Sequence, residues 1–276
     1  MSSSMNDCSY RLWDERRGTI QSKKGGWVVG KGIFNHGYSM MDDLVGKVSY
    51  MQVVVLNATG RLPERPVADW LEAIHICLSW PDSRIWCNQI GALGGAMRAS
   101  VIASTTAGVL AADAKSYGSK TLVHGVRFIQ TALLDFKRGL GVDEIIRNEC
   151  AKHRGKPHIM GYARPLAKGD ERVVAMGRVQ KELGLPVGEH LQLAGQIEQS
   201  LLKDFDESMN IGGYISAFLS DLGYTDEEVY RIFAVLVTSG VTACYVDTRD
   251  KAPDTFLPLR CADIEYTGKL ARPVPC

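Results

Sequence analysis

Residues 160–173 read MGYARPLAKGDERV. Gly161, Pro165 and Gly169 break any regular helix here, and Arg164, Lys168 and Arg172 gather beside Asp170. The run that follows, VVAMGRVQKELG, has helical spacing. A polar loop ahead of a helix is either a solvated connection or a place where cations meet an anionic ligand. Lys and Arg supply the charge-assisted hydrogen bonds that the second reading needs.

Outward from this loop the chain reads as helix after helix. SMMDDLVGKVSYMQVVVLNATG (39–60) carries apolar residues at i, i+3 and i+4, and Gly60 stops it; RPVADWLEAIHICLSW (65–80) ends at Pro81. QIGALGGAMRASVIASTTAGVLAADA (89–114) is a long helical stretch of small residues, suited to close backbone approach at a central position or a subunit interface. Further helical runs begin at Ser119, Gly141, Glu171, Gly188, Asn210 and Thr225, and Thr225 with Glu228 forms a capping box. Residues 1–38 read as irregular or extended, with GGWVVGKGIF (25–34) as a small hairpin, and the tail 257–276 reads as extended. The expected fold is all-α, with about ten or more helices.

Composition narrows the class. The chain has 276 residues, 45 % hydrophobic and 23 % charged, enough for one large or two modest domains. A net charge of +1 supplies no bulk attraction to nucleic acid or to an anionic membrane. No apolar run approaches the length of a membrane span, and the N-terminal MSSSMNDCSYRLWDERR lacks a signal peptide's apolar centre. The seven cysteines are scattered, odd in number and never at metal-ligand spacing, which points to reduced thiols in a cytoplasm.

Generic motifs stop short of a chemistry. There is no P-loop, no G-x-G-x-x-G behind a strand, no H-E-x-x-H and no C-x-x-C. GALGG (91–95) reads as close helix packing or as a phosphate cradle; no strand precedes it, which favours packing. His75 and His124 lie on helical stretches and read first as core or boundary residues. The run KHRGKPH (152–158) reads as a solvated surface, or as a phosphate site.

The order of segments resembles the citrate synthase family, above all its short members: the citryl-CoA lyases and the citrate-cleaving part of ATP-citrate lyase. HGYSMMDDLVGKVSYMQVVVLNATGRLP (36–63) looks like the family's first helices, and MGYARPLAKGDERV like its GFGH…DPRA loop, one residue shorter. MNIGGYISAFLSDLGY (209–224) is similar to the NVDG segment, FAVLVTSGVTACYVD (233–247) to a family helix, and EYTGKLARPVP (265–275) to the family ending. Five matches in order imply a two-domain citrate synthase-like fold. A large helical domain over 1–139, completed by 240–276, would hold a small domain over 140–239. A homodimer through the small-residue stretch is implied, with a cleft that closes.

The resemblance breaks at the chemistry. The family's thioester-polarising histidine falls on the turn Tyr117-Gly118-Ser119, and its second histidine on Arg164. Its carboxylate base falls on Gly212, a substrate-holding arginine on Val237, and its helical DHG on Ser79-Trp80-Pro81. Glycine takes no proton, and arginine stays charged. Tyr117, Arg164 and Asp82 are therefore the catalytic candidates, Asp82 as replacement base. Trp80, Arg84, Gly161, Tyr162, Lys168, Arg172 and Asn210 are the candidates for holding substrate. The resemblance implies a carboxylated or acyl-thioester substrate, coenzyme A thioester rather than a tightly bound cofactor, no metal, and a C–C bond made or broken or a carboxyl group lost. Specialised metabolism fits a rewritten site on a kept scaffold. An inactive homologue that binds a ligand or partner, and a CoA-independent cyclase or decarboxylase, are the other readings.

Overall fold

A computed structural model describes residues 8–18, 20–115, 117–162, 169–253 and 260–274. The chain divides into two compact units, Met1–Leu71 and Glu72–Cys276.

The first unit begins with α1 (Cys8–Arg16), a helix where irregular or extended chain was expected. The expected hairpin follows: β1 (Gly25–Val28) pairs antiparallel with β2 (Gly32–Asn35), and β3 (Tyr38–Ser39) adds a third short strand. Residues 39–60 are not one helix. A π-helical turn, Met40–Leu44, is separated from α2 (Tyr50–Thr59) by Gly46, whose φ of 75° no β-carbon residue adopts readily. Ser49 and Gln52 then restart the chain as a reciprocal capping box, and Gly60 closes α2 at φ 83°. Helix α3 (Arg65–Leu78) runs across the boundary of the two units.

The second unit holds α4 (Trp86–Ala96), α5 (Val101–Ala112), α6 (Ser119–Lys137), α7 (Val142–Lys152), α8 (Glu171–Glu182), α9 (Glu189–Phe205), α10 (Ile211–Asp221), α11 (Asp226–Ile232) and α12 (Thr238–Arg249). The fold is all-α, with the three short strands as its only sheet among the described residues. Two stretches expected as single helices are each broken. Arg98, at φ 60°, ends α4 and frees its guanidinium to donate to the carbonyls of Arg249 and Lys251. Residues 233–237 separate α11 from α12 as a turn.

Glycine places α4 against α12. A β-carbon at Gly91 would sit 2.5 Å from the Val241 carbonyl oxygen, and one at Gly95 would overlap that of Tyr245. Ser104 closes on Gly94 from α5. GALGG is thus helix packing, as its lack of a preceding strand suggested. Helix α10 is the buried axis between α6 and α9: Tyr214, Ile215, Ala217, Phe218 and Leu219 are all buried. Its two serines return hydrogen bonds to its own backbone, Ser216 to Gly212 and Ser220 to Ser216, both at 2.7 Å. Buried hydroxyls are satisfied that way without leaving the helix.

Candidate active site

Tyr117 is presented by a turn that only glycine allows. Gly118 follows it at φ 74°, and a β-carbon there would overlap the Ala112 carbonyl at the end of α5. The Tyr117 ring rests on Trp86, centroids 4.3 Å apart and planes tilted by 59°. Trp86 is held in turn by its indole N–H, which donates to the Ala111 carbonyl at 3.2 Å. Burial, then the neighbouring Cys87 thiol, push the Tyr117 hydroxyl up to about 12, against the opposing field of Arg172. At neutral pH this phenol is a proton-bearing donor, not a base.

Arg172 is fixed by Asp170. The carboxylate, wholly buried, accepts from Arg172 Nε at 2.8 Å, from Nη2 at 2.7 Å and from the Arg172 amide at 3.1 Å. It also accepts from the Ile211 amide at 2.9 Å, so one side chain joins the N-terminus of α8 to that of α10. Burial alone would raise the Asp170 carboxyl, but these donors hold it below the usual range. Among the described residues, Arg172 Nη1 has no partner. The same guanidinium acts on Tyr117 and on Cys77 of α3. Burial raises the thiols of Cys77 and Cys87, which keeps both neutral at physiological pH.

The loop between α3 and α4 carries Trp80, Asp82 and Arg84. Asn88 pins it, donating to the carbonyls of Trp80 and Asp82 at 3.0 Å each. Asp82 accepts from Arg84 Nε at 3.0 Å, Nη2 at 2.7 Å and the amide at 2.9 Å. Those bonds hold its carboxyl at about 2. A carboxylate that acidic is a weak proton acceptor, so the geometry argues against the replacement base that the sequence suggested. Arg84 is exposed and spent on the same pair. Trp80 is 42 % exposed at the rim of the loop.

Three further candidates serve the backbone. Tyr162 is buried, its hydroxyl donates to the Ala194 carbonyl at 3.0 Å, and its ring meets Phe128 edge-on; the core, not a ligand, claims it. Gly161, at φ 100°, lets the chain pass Gly213 so closely that a β-carbon would lie 2.6 Å from the Gly213 Cα. Asn210 caps α10, accepting from the amides of Gly212 and Gly213 at 2.8 and 3.2 Å. Arg164 and Lys168 lie outside the described residues. Gly212 carries no carboxylate, yet among the described residues a β-carbon there would meet only Asn210 Oδ1 at 3.1 Å and Leu122 at 3.8 Å.

The histidines stand apart. His75 stacks on Phe233 at 5.3 Å, and His153 lies 5.0 Å from His158, ring to ring. Among the described residues no cluster of His, Cys, Asp and Glu could hold a metal ion, and no helix is long and apolar enough to cross a membrane. Trp86, Cys77 and Cys87 are the residues that sequence reasoning missed. No motif marks them, because α3, α4 and the Tyr117 turn meet only in three dimensions.

These helices and their order define the citrate synthase-like fold. Citryl-CoA lyase from Hydrogenobacter thermophilus superposes with a TM-score of 0.77 at 22 % identity, over 93 % of this chain and 98 % of that one. ATP citrate lyase from Methanothrix soehngenii, solved with citrate and coenzyme A, gives 0.75 at 17 % identity over all of this chain, which spans 46 % of that protein. Citrate synthase from the archaeon Thermoplasma acidophilum gives 0.61 at 14 % identity, over 82 % of this chain and 59 % of that one. No protein-family profile matches the sequence. No curated protein matches it either.

Proposed function

We propose that this chain is a citrate synthase-like enzyme that breaks or makes a C–C bond, or removes a carboxyl group, in a carboxylated acyl-thioester substrate. The observation that carries the reading is a proton-bearing phenol, Tyr117, within the field of a guanidinium, Arg172, whose Nη1 takes no partner among the described residues. Arg172 suits a substrate carboxylate, because its fixed fork matches two oxygens. Tyr117 suits an oxygen that becomes negative during the reaction, since a donor aimed at developing charge lowers the barrier. Arg164 and Lys168, which lie outside the described residues, are proposed as further cations for the same substrate. Asp82, Arg84 and Trp80 shape the loop opposite α4 rather than move protons.

With no carboxylate base at residue 212, the substrate supplies its own driving group. In a decarboxylation the C–CO₂ bond breaks and its electron pair enters the adjacent thioester carbonyl, forming an enolate whose oxygen takes the Tyr117 hydrogen bond. Water then protonates the carbon. A retro-Claisen cleavage uses the same oxygen site. The ATP citrate lyase structure solved with citrate and coenzyme A supports the thioester class, and the proposal calls for no tightly held cofactor or metal. Cleft closure between a domain completed by 240–276 and a small domain over 140–239 belongs to the same reading. So does a homodimer through α4, α5 and α12, whose Ile102 and Leu110 are 76 % and 71 % exposed. A cytoplasmic setting suits the unpaired cysteines, and specialised metabolism suits an altered site.

The test is ligand-induced stabilisation. Coenzyme A, acetyl-CoA or succinyl-CoA should raise the melting temperature by several degrees at millimolar concentration, and Arg172→Gln should abolish the response to succinyl-CoA first. No response to any of the three sinks the thioester reading. A second reading, a ligand-binding homologue without turnover, is favoured by one observation: Asp82 and Asp170 are both committed to arginines. Binding without any product over a day of incubation decides for it.

A further inference from the structure

The start of α4 and the end of α5 support the Tyr117 turn from two sides. A β-carbon at Gly108 of α5 would lie 2.8 Å from the Cys87 carbonyl oxygen, so the first turn of α4 is pressed against α5 with no room to shift. The last turn of α5 then anchors both partners. Its Ala111 carbonyl accepts the Trp86 indole N–H at 3.2 Å. Its Ala112 carbonyl accepts the Ala114 amide at 2.9 Å, and Gly118 passes the same carbonyl where a β-carbon would overlap it. The Tyr117 amide folds back onto the Ala114 carbonyl at 3.4 Å.

These contacts fix where the Tyr117 backbone runs, not where its ring points. The second torsion of a tyrosine is broad, so a neighbour has to set the ring plane. Trp86 supplies that neighbour, its centroid 4.3 Å away and its plane tilted by 59°, an arrangement in which ring edge and ring face attract. The next residue, Cys87, is buried, and its thiol neighbours the phenolic hydroxyl. Trp86 is 41 % exposed, so the core alone does not claim the indole; its N–H goes to Ala111 and its ring to Tyr117.

We infer that Trp86 is a positioning residue, which sets the plane of the Tyr117 ring and so aims the phenolic O–H at the substrate oxygen that gathers charge. The inference deepens the reading above and rests on Tyr117 being the donor of that reading. Because the indole and the Tyr117 turn share one support, the end of α5, a shift of that helix carries both together and preserves the direction of the phenol.

The experiment follows the Tyr117 ring by NMR in the full-length protein made with ring-¹³C tyrosine, the signal being assigned by its absence from Tyr117→Phe. Trp86→Leu removes the aromatic partner, and Trp86→Phe keeps a ring while losing the N–H. In Trp86→Leu the Tyr117 signal should move, and its ionisation step should fall from about 12 towards 10 as the hydroxyl meets water. Trp86→Phe should restore most of both. Affinity for succinyl-CoA should change little, since Arg172 is untouched. Where turnover is measured, Trp86→Leu should lower kcat by up to about 10²-fold at unchanged KM, the scale of a misplacement of about 1 Å. Gly91→Ala, which strains the α4–α12 contact instead, should lower the melting temperature and leave the Tyr117 signal in place. If Trp86→Leu does not fold, Trp86→Met takes its place. An unmoved Tyr117 signal, a Trp86→Phe variant that restores nothing, or an equal displacement in Gly91→Ala overturns the inference. So does a Trp86→Leu variant whose one defect is lost self-association, which assigns the indole to a subunit interface. A Tyr117 signal that depends on Trp86 in a protein that binds no coenzyme A thioester keeps the pairing and removes the thioester; thioester binding with a Tyr117 signal indifferent to Trp86 does the reverse.

Discussion

Arg172 grips Asp170 through both Nε and Nη2, at 2.8 and 2.7 Å, while Asp170 also takes the Ile211 amide at 2.9 Å. A single buried carboxylate thus orients the cation and joins α8 to α10. Asp170→Asn should cost about 3 kcal/mol, the range for breaking a buried ion pair. Urea unfolding at pH 7 reads this directly. Because the folded carboxyl sits below its ordinary value, its contribution is present above pH 4 and is lost as the pH falls. The variant should therefore show a shallower loss of stability between pH 5 and pH 3 than the natural protein.

Tyr117 behaves in the opposite sense. Its pKa is raised from 10.0 to about 12, so the stability linked to the neutral phenol is intact below pH 10. It is lost as the pH climbs from about 10 to about 12. Absorbance titration near 295 nm should show the same step around pH 10 in the natural protein and in Tyr117→Phe, and one tyrosine fewer ionising near pH 12 in the variant. If an activity is found, Tyr117→Phe should lower kcat about 10²–10³-fold, the usual loss of one oxyanion donor, with little change in melting temperature.

Gly118 tests the turn itself. Its positive φ and the overlap a β-carbon would make with Ala112 leave no room for Gly118→Ala. That variant should lose stability and ligand response together, whereas Gly91→Ala should lose about 1–3 kcal/mol from the α4–α12 contact alone. Retained succinyl-CoA binding in Gly118→Ala would show that the turn does not set the site.

Gly212→Asp asks whether the missing base is all that separates this site from enolisation. The position sits at the start of α10, where an acidic residue suits the helix dipole, and among the described residues only Asn210 crowds it. The variant should fold, and should exchange the methyl protons of acetyl-CoA with deuterated solvent faster than the natural protein does. Equal exchange rates count against the shared geometry.

Ile102→Glu examines the α4–α5 face. Light scattering should show a dimer for the natural protein and a monomer for the variant, since a charge in the middle of an apolar interface leaves an uncompensated cation- or water-seeking group. A natural protein that is monomeric at micromolar concentration removes the dimer from the proposal.

Much of this was readable along the chain. Helix identity follows from local spacing and capping: Thr225 with Glu228 forms its reciprocal cap as the sequence demanded, and the glycines of GALGG sit where backbones nearly touch. Helix breaks were not readable. Arg98 and Gly46 interrupt periodic runs because a left-handed backbone there satisfies partners elsewhere in the chain or frees a turn, which periodicity does not encode.

The sequence by itself determined the succession of helices and the close-packing glycines, since each is a matter of residue type and local order, and it raised the proposal that Tyr117, Arg164 and Gly212 stand where related enzymes handle protons. Tertiary structure alone decided which of the polar candidates keep anything to offer. Asp82 is spent on Arg84, Tyr162 on Ala194 and Asn210 on its own helix, while among the described residues Arg172 Nη1 takes no partner and its charge acts on a proton-bearing Tyr117. The reason is that a side chain's charge and hydrogen bonds are settled by neighbours distant in the chain, and burial sets what those neighbours are worth.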